Sequence, residues 1–113
     1  MERDSLTLVW LSVDRIAASD MALLYLRDSA VKGWFKNITL ILWGPTVELM
    51  TRDSNMQQQA QILNSVGVKV EACIACASLY GAVNKLRSMN IPCLPMGEKL
   101  TRLLKEGQAV IFI

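Results

Sequence analysis

Residues 38–45 read Ile38-Thr39-Leu40-Ile41-Leu42-Trp43-Gly44-Pro45. The run is apolar at nearly every position. An apolar run without alternation fits a strand covered on both faces, as in parallel sheets flanked by helices. Gly44-Pro45 ends it, because proline lacks the N–H that a ladder needs. Outward in both directions the same rhythm repeats, with short apolar runs alternating with segments of helical period. That is the pattern of βα units around a parallel sheet.

Upstream, Leu6-Thr7-Leu8-Val9-Trp10-Leu11 reads as the first strand. A polar stretch containing Asp14 follows. A helix is then predicted to about Val31, with Ser19 or Asp20 capping its main part and Gly33 stopping it. Met21-Ala22-Leu23-Leu24-Tyr25-Leu26 is apolar around most of the helix, which predicts burial against both the sheet and a neighbouring subunit. Downstream, Thr46 to Met50 read as a short helical turn. Asn55 to Ser65 form a helix with Met56, Ala60 and Leu63 inward and Gln57, Gln58, Gln59 and Gln61 mostly on its solvated face. Val68 to Cys73 are the third strand. A helix is expected from Cys76 to Met89, with Leu79, Val83 and Leu86 on one stripe and Pro92 preventing its continuation. Cys93 to Pro95 form a fourth strand. Gly97 opens a last helix carrying Leu100, Leu103 and Leu104, Gly107 closes it, and Gln108 to Ile113 are a fifth strand. The expectation is one α/β domain over residues 1–113 with five strands and four main helices.

The 113-residue length fits one domain. Apolar residues make up 52% and charged residues 19%, which predicts more apolar surface than one small core hides, and hence a homo-oligomer. The net charge of +2 is spread without a basic block, which argues against nucleic acid as a partner. Lys99, Arg102 and Lys105 read as one solvated helix face. No uncharged apolar run approaches the ~20 residues of a membrane span. The charged start Met1-Glu2-Arg3-Asp4 is unlike a secretory signal. The expected location is cytoplasmic, where the three cysteines stay mostly reduced.

In open α/β sheets ligands bind at the carboxyl ends of the strands. Those ends carry Ser12 and Asp14, Trp43 and Gly44, Cys73, and Met96 and Gly97. The strongest signal among them is Cys73-Ile74-Ala75-Cys76, at a strand-to-helix junction. A thiol there meets the free N–H groups and positive dipole end of a helix, which favour the nucleophilic thiolate. The opposing reading is cysteine as a small buried hydrophobe, favoured for Cys93 inside its strand. A thioredoxin-type dithiol fits less well, because the pair follows the third strand and lacks the Trp-Cys-Gly-Pro-Cys character. Histidine is absent, so Ser/His and Cys/His pairs are excluded. Three cysteines fall one short of a four-thiolate zinc site. No dinucleotide or Walker motif is present, and neither a cofactor nor a metal is expected. Asp14 and Glu48 read as a cap or surface acids before they read as catalysts. Trp43 lies beside the expected cleft.

Leu40-Ile41-Leu42-Trp43-Gly44-Pro45, Gly67-Val68-Lys69-Val70-Glu71-Ala72-Cys73-Ile74-Ala75-Cys76-Ala77, and Asn90-Ile91-Pro92 leading to Met96-Gly97 together resemble the DsrE/DsrF-like family. The resemblance implies a three-layer α/β/α fold with a five-stranded, mostly parallel sheet, and trimers or hexamers. It also implies a role in sulfur relay, with Cys73 in the place of the cysteine that holds sulfane sulfur as a persulfide. Sulfur donor and acceptor proteins would then be its partners. Cys76 is not general to the sulfur carriers. The expected function is a sulfur carrier or sulfurtransferase acting through Cys73 and Cys76, with Asp14, Trp43, Gly44, Met96 and Gly97 on the substrate side. The alternatives are a non-catalytic oligomeric binding module and a Cys73/Cys76 dithiol oxidoreductase.

Overall fold

The computed structural model describes residues 4–14 and 18–113, the side chains of residues 18–20 excepted. Five strands, β1 (Ser5–Trp10), β2 (Asn37–Leu42), β3 (Lys69–Cys73), β4 (Cys93–Leu94) and β5 (Ala109–Phe112), form one parallel sheet in the order β4-β3-β2-β1-β5. The chain steps outward from β1 to β4, then crosses back to lay β5 on the other side of β1. Right-handed crossovers place the helices of successive outward steps on one face and the helix of the return step on the opposite face.

The helices follow that rule. A π-helical turn, Ala18–Leu23, leads into α1 (Leu24–Val31); α2 (Pro45–Arg52) and α3 (Ser54–Ser65) join β2 to β3; α4 (Ile74–Leu79) and α5 (Val83–Ser88) join β3 to β4. Together they cover the face bearing Leu8, Leu40 and Val70, which share one register row. Leu26, Met50, Met56, Leu63 and Leu86 complete that core, each fully buried. Burial of each such side chain contributes roughly 1.5–3 kcal/mol. The return helix, α6 (Met96–Lys105), packs on the opposite face against Val9, Ile41 and Cys73. The result is a three-layer α/β/α fold with a five-stranded, all-parallel sheet.

Local chemistry explains the element boundaries. Gly44 takes φ 68°, ψ −133°, a region open to glycine, and Pro45 opens α2. Asp53 caps α3 by accepting the N–H groups of Asn55 and Met56 at 3.0 and 3.1 Å. Gln57 Nε2 donates to the Met50 carbonyl at 3.0 Å, tying α3 to α2.

Several sequence expectations need correction. The helix read from Cys76 to Met89 is two helices, broken where Gly81 takes φ 63°. The break turns Leu79 outward, 79% exposed, off its expected stripe. The turn read at Thr46–Met50 is the eight-residue helix α2. Ser19 and Asp20 lie within the π-helical turn rather than ahead of a helix, and their side chains fall outside the described residues. Ala22, Leu23 and Leu26 are buried while Met21, Leu24 and Tyr25 are exposed, so one side of this segment is hidden within the chain. Leu104 is exposed, whereas Leu100 and Leu103 are half-buried. Among the described residues no helix is long and apolar enough to cross a membrane.

Candidate functional site

β3 ends at Cys73, and Ile74 begins α4. Side chains alternate along a strand, so Glu71 and Cys73 both face α6. Cys73 is 5% exposed and packs with Val9, Ile41 and Met96, edged by Trp43, Cys76, Leu94 and Leu100. It occupies the N-cap position of α4 but makes no side-chain cap hydrogen bond. The expected activation of Cys73 by that helix end is therefore not realised as a bond to its sulfur.

The N–H that does meet a sulfur comes from another element. Gly44 donates its backbone N–H to Cys76 Sγ at 3.4 Å. The corner that aims it is pinned from below. Thr46, fully buried, donates its hydroxyl to the Trp10 carbonyl at 2.7 Å and accepts the Trp43 N–H at 3.1 Å. The carboxyl ends of β1 and β2 are thus locked together beside the Cys73–Cys76 turn.

Burial pushes the Cys76 thiol above its ordinary 9.0, the Gly44 N–H opposes that rise, and the adjacent Cys73 adds to it. Burial also raises Cys93, opposed by the Arg87 charge, with Cys73 adding to the rise. All three cysteines are free. Cys76 is half-buried, so it is the more accessible sulfur of the pair. At neutral pH it is held mostly as the thiol, and the Gly44 N–H is placed to stabilise charge as it develops on sulfur.

The structure brings together Trp43, Gly44, Cys73, Cys76 and Met96, the last 1% exposed against Cys73. It sets two predicted residues apart. Gly97 is exposed on the first turn of α6, in a shallow surface groove with Glu98 and Thr101. Asp14 lies on the exposed loop after β1, its backbone N–H donated to Ser12 Oγ at 3.1 Å, outside the packed cluster around Cys73. Glu48 pairs with Arg52 at 3.0 Å along α2. Trp10 is wholly buried, and exposed Trp34 stacks near Tyr25, ring centroids 5.9 Å apart.

Sequence reasoning missed two features. Lys99, read as part of a solvated face, turns inward to pair with Glu71. The signal was Glu71 itself, a carboxylate in mid-strand between Val70 and Ala72. The pinning role of Thr46 had no local signal, since its Trp10 partner lies 36 residues away.

No family model matches the chain, and no curated protein matches it. Among solved structures, a conserved protein of unknown function from Bacteroides thetaiotaomicron superposes with TM-score 0.95 at 31% identity, over 97% of this chain and 95% of that one. The YchN protein of E. coli superposes with TM-score 0.71 at 15% identity, over 99% of this chain and all of that one. The second likeness is one of fold alone. The chain belongs to one family with the Bacteroides thetaiotaomicron protein, and its fold is the DsrE-like fold of YchN.

Proposed function

We propose that the chain is a sulfur carrier that holds sulfane sulfur as a persulfide on the Cys73–Cys76 pair. The observation that carries this reading is the Gly44 N–H directed at Cys76 Sγ, with Cys73 beside it. Cys76, the more accessible sulfur, attacks the outer sulfur of a donor persulfide, taking it as Cys76–S–SH and releasing the donor thiolate. Cys73 then attacks that outer sulfur, becoming Cys73–S–SH and returning Cys76 as the thiolate. An acceptor thiolate removes the sulfur by the same displacement. Storage on Cys73 keeps the persulfide among Val9, Ile41 and Met96, away from water. Sulfur donor and acceptor proteins in the cytoplasm are the partners this reading requires. Self-association into a homo-oligomer is supported by exposed Met21, Val31 and Trp34.

The test is intact mass after incubation with polysulfide. The wild-type chain should gain about 32 Da per sulfur held. Cys73→Ser should lose the retained sulfur, and Cys76→Ser should load slowly. No gain in a folded chain whose thiols all alkylate after unfolding refutes the proposal.

The adjacency of Cys73 and Cys76 also favours a second reading, a dithiol oxidoreductase. That reading calls for a reversible disulfide with a loss of about 2 Da and no bound sulfur. If Cys76 and Cys73 both resist alkylation in the folded chain, a non-catalytic binding module around Trp43, Gly44 and Met96 is favoured instead.

A further inference from the structure

Among the described residues, one helix, α6, covers the sheet face that carries Cys73. Its inward contacts are few. Met96 is 1% exposed and Leu100 and Leu103 are half-buried, while Gly97, Glu98, Thr101, Arg102 and Lys105 face outward. No side chain caps its first turn, which follows Pro95, and beyond its last turn Gly107 takes φ 71°. The remaining inward group is charged. Lys99 pairs with Glu71 of β3, the two side chains 22% and 10% exposed. Glu71 lies two residues before Cys73 on the same face, so the ion pair fastens α6 to the sheet beside the thiol that α6 covers.

We infer that α6 is a lid over Cys73 and that the Lys99–Glu71 ion pair is its latch. Lifting α6 about Pro95 and Gly107 exposes Cys73 while the rest of the sheet and the helices on its other face stay folded, a local opening of the kind small domains undergo. The latch is asymmetric. Without Lys99, Glu71 is left as a buried carboxylate that has lost its ion-pair partner, and it regains water when the helix lifts. Without Glu71, Lys99 extends its ammonium past the helix edge into water at little cost. Replacing both with apolar side chains removes the charge and recloses the lid.

The inference rests on Cys73 being a sulfur that substrate must reach, but its test reads access alone and needs no sulfur transfer. In a Cys76→Ala/Cys93→Ala background, iodoacetamide labelling of Cys73 is timed alongside hydrogen exchange of α6, α3 and β2. Lys99→Met should speed labelling roughly tenfold or more, with α6 exchange rising by the same factor and α3 and β2 unchanged. Lys99→Met/Glu71→Met should return both rates to within about threefold of the background. Unchanged labelling in Lys99→Met overturns the latch. Labelling that rises only in step with exchange of the whole sheet overturns the lid. Should labelling behave as expected while polysulfide adds no mass, the lid stands and the sulfur-carrier reading falls.

Discussion

Gly44→Ala tests the geometry on which the site depends. At φ 68°, ψ −133° an added Cβ meets nothing within 4 Å, so the substitution strains the backbone without a clash. That strain is about 1–3 kcal/mol. At about 4 °C per kcal/mol for a 113-residue domain, the melting temperature should fall by roughly 4–12 °C. The chain relieves the strain by rotating toward negative φ, which swings the Gly44 N–H off Cys76 Sγ. A hydrogen bond to a charged acceptor is worth about 1.5–3 kcal/mol, and a sulfur at 3.4 Å belongs at the low end. Its loss reduces the thiolate fraction of Cys76 about tenfold at neutral pH. The assay is the rate of Cys76 alkylation in a Cys73→Ala/Cys93→Ala background, corrected for the folded fraction. Gly67→Ala is the control. Gly67 also has positive φ, 94°, and open space for a Cβ, so alanine there is likewise strained without a clash, at the α3–β3 turn. It should lower stability without slowing Cys76. If Gly44→Ala labels at the parent rate per folded molecule, the N–H does not stabilise the thiolate and the site loses its main electrostatic feature.

Thr46→Val keeps the shape but leaves the Trp10 carbonyl without its hydroxyl partner and weakens the hold on the Trp43 N–H. It should cost about 1–3 kcal/mol in urea unfolding, and an unchanged midpoint would refute the pinning role. Asp53→Ala removes the acceptor for two α3 N–H groups, with an expected loss of about 1 kcal/mol by the same measurement. Stability should also fall as pH rises above 9. Cys76 and Cys93 both titrate above 9.0 in the folded chain because of burial. The unfolded chain therefore binds fewer protons in that window, and the stabilisation present at lower pH is lost as the folded thiols ionise. Cys76→Ala/Cys93→Ala should show a shallower alkaline decline; an identical slope in urea midpoints from pH 8 to 10.5 would contradict the shifts.

The sheet was legible because its strands are apolar runs bounded by turn residues. Ile38 to Leu42 needs cover on both faces, and a parallel sheet supplies it. Strand order was not legible, because the return of β5 to the far side of β1 depends on crossovers rather than on any local pattern. Tyr80-Gly81 sits mid-way through a stretch of helical period, and the left-handed turn at Gly81 was read through rather than as a stop. At the site, Cys73, Cys76, Trp43, Gly44 and Met96 could be gathered by placing strand ends side by side. The bond that distinguishes the two cysteines could not, since Gly44 and Cys76 are 32 residues apart and belong to different βα units.

The unequal cover of the two sheet faces bears on why chemistry would gather where it does. A thiol under a thick layer stays inert because exposing it means unfolding the core; Cys93, paired in register with Ala72, points into the multi-helix layer at the edge of the sheet, where Arg87, Asn90 and Pro92 line a surface groove beside it. Cys73 comes one residue later than Ala72, so the period of a strand sends its side chain to the face with a single helix. Burial there is slightly more complete, 5% exposure against 7%, yet uncovering it requires moving α6 rather than dismantling the core. Static exposure therefore cannot rank these two sulfurs. The free energy of the smallest opening that reveals each one can, and that quantity follows from the crossover that placed α6, the one helix on that face among the described residues.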